Sequence, residues 1–296
     1  MRTLVTGGAG FIGSHLVDAL VARGDQVTAL DDLSTGRHAF VNGAARFLEH
    51  DVRELFETDA DIVFHLAAQA DVGTSVERPA FDAAVNVVGT VNVLEAARAA
   101  GAAVVFASTG GAIYGDVDAP ATEDAALRPV SPYGTAKLAG EAYVEAWRRI
   151  HGVRSVALRF ANVYGPRQSS TLEGGVIAIF LERMARGEET VIFGDGEQTR
   201  DFVHVADVVR ALVAASERDG GVFNIGTGVE TSINRLHELC RSVVGGGAPA
   251  RHDPARPGDA RRSVLDQTRA TAELGWTAST PLREGIAATL AAERKE

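Results

Sequence analysis

The 296-residue chain contains one cysteine, Cys240, and no uninterrupted apolar run that approaches eighteen residues. A single cysteine excludes a disulfide within the chain and is typical of proteins of the reducing cytoplasm. The lack of a long apolar run argues against a membrane-spanning helix. The first residues lead directly into an apolar strand, so the sequence predicts no secretory signal peptide. We therefore expect a cytoplasmic protein.

Basic residues are also scarce, with 29 Lys and Arg against 39 Asp and Glu, which gives a formal net charge of −10. Without a basic cluster, this charge argues against a nucleic-acid-binding surface. The eight histidines are scattered and lack the spacing of a zinc site, so no metal is expected. The hydrophobic content of 46% is ample for the core of one large α/β domain with a smaller appendage.

The first thirty residues are predicted to form a strand, a glycine-rich loop, a helix and a second strand that ends in an acid. Gly7, Gly10 and Gly13 are spaced for a tight turn, for close approach to a pyrophosphate and for packing of the helix on the sheet. The helix N-terminus offers free N–H groups to phosphates. Asp31 lies where a carboxylate accepts hydrogen bonds from the adenosine ribose and repels a 2′-phosphate. This unit predicts binding of NAD in preference to NADP.

Strand-like and helical patterns alternate after this unit, which predicts a parallel sheet with helices on both faces. Ligands of such sheets bind at the carboxyl ends of the strands. We expect an α/β fold with a Rossmann-type doubly wound parallel sheet and a smaller C-terminal substrate-binding lobe. Residues 1–164 would form the NAD-binding domain, with 201–226 returning to it, and 165–296 would form mainly the lobe. The strand-like runs are 46–48, 61–66, 103–107, 155–160 and 222–225, and the helical patterns are 79–99, 133–150 and 206–216.

Tyr133 and Lys137 are one helical turn apart in a segment that continues as a helix, so their side chains share a face. A free tyrosine has a pKa of about 10 and is a poor base at neutral pH. A nearby ammonium favours the phenolate and lowers that pKa, and the positive charge of an oxidised nicotinamide ring would add to the effect. We therefore interpret Tyr133 as a proton-transfer residue and Lys137 as its partner.

Taken together, these motifs resemble those of the extended short-chain dehydrogenase/reductases, in the NAD-dependent nucleotide-sugar epimerase/dehydratase family. The likeness covers nearly the full length and includes segments 6–13, 65–68, 159–166, 200–207 and 256–259, together with Asn86, Tyr133 and Lys137. Within the family, the chain is most similar to the UDP-glucose 4-epimerases, notably at residues 31–36.

The resemblance implies NAD-dependent 4-epimerisation of a UDP-hexose through a transient 4-keto intermediate. Tyr133 would take the 4′-hydroxyl proton while hydride passes to NAD, and Lys137 would bind the nicotinamide ribose. The third catalytic residue of the family is a Ser or Thr in the loop after residues 103–107. Alignment from the strand end favours Thr109, but alignment backward from Tyr114 is offset by one residue, so Ser108 remains an alternative. Thr109 would otherwise be only a turn residue.

The same loop distinguishes between the chemistries of the family. Dehydratases resemble one another in placing Asp-Glu after the Thr, and decarboxylating members usually carry a Glu there. Gly110 and Gly111 hold these positions here and cannot act as general acids or bases, which leaves an epimerase. The alternatives are another nucleotide-sugar enzyme such as a UDP-uronic acid 4-epimerase, a net oxidoreductase that releases NADH, and a catalytically inactive NAD-sensing protein.

Ligand contacts also follow from the resemblance. Arg200 and Arg256 would clamp the pyrophosphate, because guanidinium pairs with phosphate bidentately; alternatively, each is a surface charge. Asp259 would hold the uridine ribose, and Val191 with Phe193 would sandwich the uracil, unless Phe193 is a core residue. The small Ser263 predicts room for an N-acetyl group at C2 of the sugar, unless the Gly/Pro-rich stretch before it shifts the loop. A homodimer is expected through helices near 79–99 and 133–150.

The expected cofactor contacts are Gly7, Gly10, Phe11, Ile12, Gly13, Asp31, Asp32, Leu33, Ser34, Thr35, Gly36, Asp51, Val52, Leu66, Ala67, Ala68, Gln69, Tyr133, Lys137, Phe160 and Val163. The expected substrate contacts are Thr109, Tyr133, Asn162, Gly175, Val176, Val191, Phe193, Arg200, Arg256, Asp259 and Ser263.

Overall fold

The computed structural model describes residues 1–170, 175–255 and 260–293. The strands are β1 (Arg2–Thr6), β2 (Gln26–Asp31), β3 (Arg46–Glu49), β4 (Ile62–His65), β5 (Ala103–Thr109), β6 (Ser155–Phe160), β7 (Asn162–Tyr164), β8 (Val191–Phe193), β9 (Thr199–His204), β10 (Val222–Ile225), β11 (Glu230–Ser232), β12 (Arg251–Asp253) and β13 (Arg262–Ser263). The helices are α1 (Phe11–Arg23), α2 (Val72–Glu77), α3 (Pro79–Ala83), α4 (Gly89–Ala100), α5 (Gly110–Ile113), α6 (Pro132–His151), α7 (Val176–Ala185), α8 (Val205–Ala215), α9 (Ile233–Val244), α10 (Thr268–Leu274) and α11 (Leu282–Glu293).

Seven parallel strands form the main sheet in the order β10-β6-β5-β4-β1-β2-β3. The central strands are nearly continuous apolar runs, as expected for strands covered on both faces. The chain proceeds outward from β1 to β3 and then returns to the other side of β1 at β4. The crevice at this reversal is where doubly wound sheets bind their ligands. The predicted Rossmann-type fold is confirmed.

Helices cover both faces of this sheet. On one face, Leu16 and Leu20 of α1 and Leu212 of α8 pack in one apolar cluster with Val5 and Phe223 of the strands. On the other face, Leu94 of α4 and Val144 of α6 pack in a second cluster with Phe106 of β5. The sheet is therefore enclosed, and ligands reach it only at its edges. None of the helices in the described ranges is long and apolar enough to span a membrane.

One helix departs from the sequence prediction. We expected an uninterrupted helix over 79–99, but residues Ala84–Val88 form a π-helical turn between α3 and α4. Such turns are frequent at functional sites because they turn a side chain out of the regular helical pattern. The residue at the middle of the turn, Asn86, is 1% exposed.

The remaining strands form a second lobe. After β6, the chain continues as β7, which leaves the main sheet and pairs with β9; the second sheet has the order β11-β9-β13. A two-stranded sheet, β12-β8, lies beside it. Phe180 of α7, Leu236 of α9 and Ile286 of α11 form the apolar core of this lobe. The lobe is more regular than we expected from its glycines, and β9 belongs to the second sheet, whereas α8 packs on the main one.

Candidate active site

The glycine loop after β1 leaves no room for a side chain at Gly7 or Gly13. Gly7 has a left-handed backbone with φ of +72°, and a Cβ atom there would lie 2.7 Å from the Ala67 nitrogen. A Cβ atom on Gly13 would lie 2.0 Å from the Gly7 carbonyl oxygen. Gly10 precedes α1 and provides no side-chain cap for the N–H groups of its first turn. This geometry fits a pyrophosphate held by backbone N–H groups.

Asp31 ends β2 beside this loop and is 7% exposed. Its Oδ2 accepts a hydrogen bond of 3.0 Å from the Ala9 nitrogen, and its Oδ1 accepts one of 2.9 Å from the Leu33 nitrogen. Burial raises the pKa of Asp31. A Cβ atom on Gly36 would lie 2.7 Å from Asp31 Oδ1, so residues 31–36 wrap closely around the carboxylate. The expected adenosine-binding segment is therefore compact, and its residues fit a dinucleotide.

The other expected cofactor contacts also follow strands of the main sheet. Asp51 follows β3 and pairs with Arg53, and Val52 is buried against Gly89. Residues 66–69 follow β4, where the Gln69 nitrogen donates to Asn86 Oδ1 at 3.0 Å. Phe160 and Val163 lie at the point where the chain passes from β6 to β7. Because the strands are parallel, these positions lie along one edge of the sheet.

Tyr133 is in the first turn of α6. The helix begins with Pro132 after Ser131, whose Oγ accepts a hydrogen bond of 3.1 Å from the Gly134 nitrogen, a common arrangement at helix starts. The side chain of Thr109, at the end of β5, lies close enough to the Tyr133 hydroxyl to favour its ionised form. Burial, together with the charge of Asp82, raises the pKa of Tyr133 to about 12. A phenolate at neutral pH therefore needs additional positive charge.

Lys137 lies one turn further along α6 and is 3% exposed. Its Nζ donates a hydrogen bond of 3.0 Å to the Ala107 carbonyl oxygen and lies 5.1 Å from the centre of the Phe106 ring. Burial lowers the pKa of Lys137 to about 8, although the nearby carboxylates of Asp82 and Glu141 oppose this shift. We expected Lys137 to lower the pKa of Tyr133. In the protein alone, burial and Asp82 raise that pKa instead.

The geometry also distinguishes the two candidate hydroxyls, Ser108 and Thr109. Both side chains lie near α6 but meet different residues of that helix. The Ser108 hydroxyl donates a buried hydrogen bond of 2.5 Å to Glu141 Oε1. Thr109, the next residue, contacts Tyr133 instead. This arrangement favours Thr109 over Ser108 as the hydroxyl partner of the tyrosine.

Glu141 belongs to a buried polar network that the sequence analysis did not find. Arg159 of β6 donates to both carboxylate oxygens of Glu141, with the shortest bond at 2.7 Å, and its Nη1 donates to the Tyr114 hydroxyl at 2.7 Å. The Tyr114 hydroxyl in turn donates to Asn224 Oδ1 of β10 at 2.8 Å. The network fastens the segment that follows Thr109 to the main sheet. Arg159, a charged residue inside the otherwise largely apolar run 155–160, was the sequence feature that could have indicated this network.

A second buried chain of hydrogen bonds passes through His65. Its Nδ1 lies 2.8 Å from Thr6 Oγ1, its Nε2 lies 3.0 Å from Thr90 Oγ1, and Thr90 Oγ1 donates to the Asn86 carbonyl oxygen at 2.7 Å. The Thr6 oxygen also accepts from the Ala67 nitrogen. Burial lowers the pKa of His65 to about 3, so the ring is neutral. The chain connects the start of the glycine loop to the π-helical turn.

Gly110 and Gly111 have different surroundings. A Cβ atom on Gly110 would lie 2.5 Å from Leu265 Cδ1, so this position is closed by the segment after β13. A Cβ atom on Gly111 would lie 3.7 Å from Asn162 Oδ1 and 3.9 Å from Thr109 Oγ1, without a clash. Gly111 therefore lies between two expected substrate contacts, at a distance where a Cβ atom would just touch both.

The expected contacts to the nucleotide lie on the second lobe. Arg200 of β9 and Ser263 of β13 are register partners on neighbouring strands. Val191 and Phe193 begin and end β8, and Gly175 directly precedes Val176, the first residue of α7. Arg256 and Asp259 lie outside the described residues. The structure places the lobe residues in neighbouring strands and helices, and their role as substrate contacts stays a prediction.

The family model for the NAD-dependent epimerase/dehydratase family matches residues 3–226. The chain belongs to this family. Its curated relatives include a UDP-glucose 4-epimerase of Mycolicibacterium smegmatis, with 48% identity over 98% of this chain and 97% of that protein.

Solved structures of similar chains agree with this relationship. A UDP-glucose 4-epimerase of Thermotoga maritima, crystallised with UDP-glucose, matches with a TM-score of 0.96 and 45% identity over 100% of this chain and 99% of that chain. The UDP-glucose 4-epimerase of Thermus thermophilus in complex with NAD matches with a TM-score of 0.93 and 40% identity over 99% of both chains.

Proposed function

We propose that this protein is a NAD-dependent 4-epimerase that interconverts UDP-glucose and UDP-galactose through a transient 4-keto sugar. The observation that carries the proposal is the proximity of the Thr109 side chain to Tyr133 on one side and to Gly111 on the other. Proton transfer and alignment are available there, whereas Gly110 and Gly111 contribute no acid or base that would divert a keto intermediate. The similarity to UDP-glucose 4-epimerases supports this substrate class.

When bound, NAD supplies the acceptor and the later donor of hydride, together with a positive ring charge. Tyr133 takes the proton of the 4′-hydroxyl group and later returns it, and Thr109 holds the same oxygen in line. Bringing a pKa of about 12 down to neutrality takes roughly 7 kcal/mol, at about 1.36 kcal/mol per pKa unit. Charges act strongly at a buried site, so the Lys137 ammonium and the nicotinamide ring together are suited to this shift.

The proposed NAD site comprises the glycine loop, residues 31–36, Asp51, Val52 and residues 66–69, with Phe160 and Val163 at the nicotinamide end. Asp31 supports the preference for NAD over NADP, because a 2′-phosphate would meet its carboxylate. The proposed nucleotide site lies on the second lobe around Arg200, with Arg256 and Asp259 as further contacts. In this view, residues 1–164 bind the cofactor and 165–296 bind mainly the substrate.

The small Ser263 supports acceptance of an N-acetyl group at C2 of the sugar as well as the plain hexose. Ser263 is buried on β13 next to the strand that carries Arg200, so its loop is anchored to the second sheet. UDP-N-acetylglucosamine should therefore be epimerised measurably. In Ser263→Tyr, this substrate should be lost selectively, and equal losses for both substrates would show that Ser263 does not border C2.

We further propose a cytoplasmic homodimer. Val76, Val88 and Ile150 are 62%, 51% and 71% exposed and lie on or beside the helices over 79–100 and 132–151. Apolar side chains left in water on neighbouring helices favour burial against a second copy. Cys240, buried and free, is compatible with the cytoplasm. Sedimentation at micromolar concentration tests the assembly.

The function is tested by incubating the purified protein with a panel of nucleotide sugars and determining product stereochemistry. Interconversion of UDP-glucose and UDP-galactose without accumulation of NADH is expected. A 4-keto-6-deoxy product, or NADH that grows with turnover, would contradict an epimerase. Mass analysis of the nucleotide released by denaturation should show NAD, and recovery of NADP would overturn the interpretation of Asp31.

A further inference from the structure

Asp82 of α3 is a buried carboxylate with one unused oxygen. The residue is 1% exposed. Its Oδ1 accepts hydrogen bonds of 2.9 Å from Gln69 Nε2 and 2.9 Å from Asn86 Nδ2. Its Oδ2 has no hydrogen-bond partner among the described residues. A buried carboxylate oxygen without a partner is costly, so the position of Asp82 needs a physical reason.

The charges around Asp82 supply that reason. Burial raises the pKa of Asp82, and the hydrogen bonds from Gln69 and Asn86 together with the charge of Lys137, on the neighbouring helix α6, oppose this shift by favouring the carboxylate. Glu141, the other carboxylate near Lys137, is already neutralised by Arg159, whose Nε donates to Oε1 and whose Nη2 donates to Oε2. His65, which also lies near Lys137, is neutral. Asp82 is therefore the carboxylate near Lys137 that has no arginine of its own in the described structure.

We propose that Asp82 is a positioning residue that serves as the counter-ion of Lys137 and keeps its ammonium charged inside the protein. This inference rests on the proposed epimerase function. An isolated buried ammonium loses its proton because burial disfavours the charged form. A lysine held by one carbonyl oxygen and an aromatic ring needs a negative partner. The rigid placement of Asp82 by Gln69 and Asn86 provides this partner without a direct bond that would hold the ammonium away from a ribose.

The same charge also acts on Tyr133, whose phenolate it disfavours. The groups that face this pair are Asp82 from α3, Glu141 from α6 with its partner Arg159 from β6, and the neutral His65 from β4. The active ionisation state is a Tyr133 phenolate with a charged Lys137. Removing the charge of Asp82 lets both groups lose their protons at lower pH. The whole bell-shaped dependence of kcat on pH should then move towards acid.

Asp82→Asn is the matched substitution, because the amide oxygen can still accept from Gln69 and Asn86 while the charge is removed. Both limbs of the pH profile should move down by about one unit, so that kcat on the alkaline limb falls about tenfold. Asp82→Glu keeps the negative charge, so both limbs of its pH profile should lie at the wild-type pH even if kcat is lower. The control Asp59→Asn removes an exposed charge at the opposite end of β4 and should leave the profile unmoved.

If Asp82 had only a structural role, Asp82→Asn would lower kcat without moving either limb of the pH profile, and that result would overturn the inference. A second measurement needs no turnover. The tyrosinate absorbance of the NAD-loaded protein is titrated in wild type, Tyr133→Phe and Asp82→Asn. The absorbance change that is absent from Tyr133→Phe reports the ionisation of Tyr133. Its midpoint should lie at lower pH in Asp82→Asn than in wild type, and an unchanged midpoint would also contradict the proposal. If wild type epimerises no nucleotide sugar, the proposed function fails, whereas this titration still tests Asp82.

Discussion

The main sheet and the second lobe differ in how deeply one ion pair of each is buried. At the main sheet, Arg159 and Glu141 form a pair whose side chains are 5% and 7% exposed. In the second lobe, the pair of Arg261 with Asp195 has side chains that are 59% and 57% exposed. Charges interact strongly where water is excluded and weakly where it screens them. The groups expected to move protons are therefore placed where neighbouring charges control them, whereas the lobe carries charges that water largely screens.

Asp201 marks the boundary between the two regions. It lies on β9 of the second sheet but is 1% exposed, and it accepts hydrogen bonds from the Thr227 hydroxyl at 2.6 Å and the Gly228 nitrogen at 3.1 Å. This carboxylate ties the segment after β10, the last strand of the main sheet, to the second lobe. Among the described residues of the second lobe, Asp201 is the buried carboxylate, and it lies where the lobe meets the main sheet.

The largest effect is expected at the reacting group. Tyr133→Phe removes the hydroxyl that moves the proton, so kcat should fall by about 10²–10⁴-fold. Binding of NAD and of the nucleotide sugar should stay close to wild type, because the ring and the helix are retained. Steady-state kinetics and calorimetric titration measure both. A variant that retains more than about a tenth of the rate, a loss under about 1.4 kcal/mol, would show that the base is misassigned.

The buried ion pair should dominate stability. Arg159→Met leaves Glu141 charged and unpaired inside the protein, and the free energy of unfolding should fall by about 3–5 kcal/mol. Urea denaturation at a fixed, saturating NAD concentration measures the change, because bound ligand also stabilises. Arg159→Met combined with Glu141→Leu should recover part of the loss. A loss below about 1 kcal/mol would mean that this pair is screened like those of the lobe.

A moderate, pH-dependent effect is expected from His65. The pKa of His65 is lowered to about 3 in the folded protein and is about 6.5 in the unfolded chain. The unfolded state therefore binds more protons in this window, and stability falls as the pH drops from about 6.5 towards 3, by up to about 1.4 kcal/mol per unit. His65→Asn should have a flatter dependence of unfolding free energy on pH. An identical slope would assign the acid sensitivity to other groups.

The smallest effect is expected in the lobe. Arg262 pairs with Glu230, and the two side chains are 34% and 28% exposed. Arg262→Met should cost less than about 1 kcal/mol, because solvent screens such pairs. The difference from wild type should shrink in 1 M salt, where the screening length is about 3 Å. If the loss in free energy of unfolding equalled that of Arg159→Met, the two ion pairs would not differ in strength.

Much of the main sheet could be predicted from the sequence. The boundaries of β6 and β10 agree with the expected runs 155–160 and 222–225, because buried parallel strands are short apolar segments limited by turn residues. The short strands of the lobe could not be predicted in this way. β11, β12 and β13 contain two or three residues each and exist through pairing with strands distant in the chain. The π-helical turn was missed because its residues suit an ordinary helix.

Residue types and local periodicity were enough to predict the family, the cofactor-binding glycines and the shared helix face of Tyr133 and Lys137. Tertiary structure alone decided that Ser108 faces Glu141 while Thr109 faces Tyr133. It also decided the ionisation of the site, since the pKa of Tyr133 depends on burial and on Asp82, a residue of another helix. Burial and distance between separate elements are properties of the folded chain, and no local pattern encodes them.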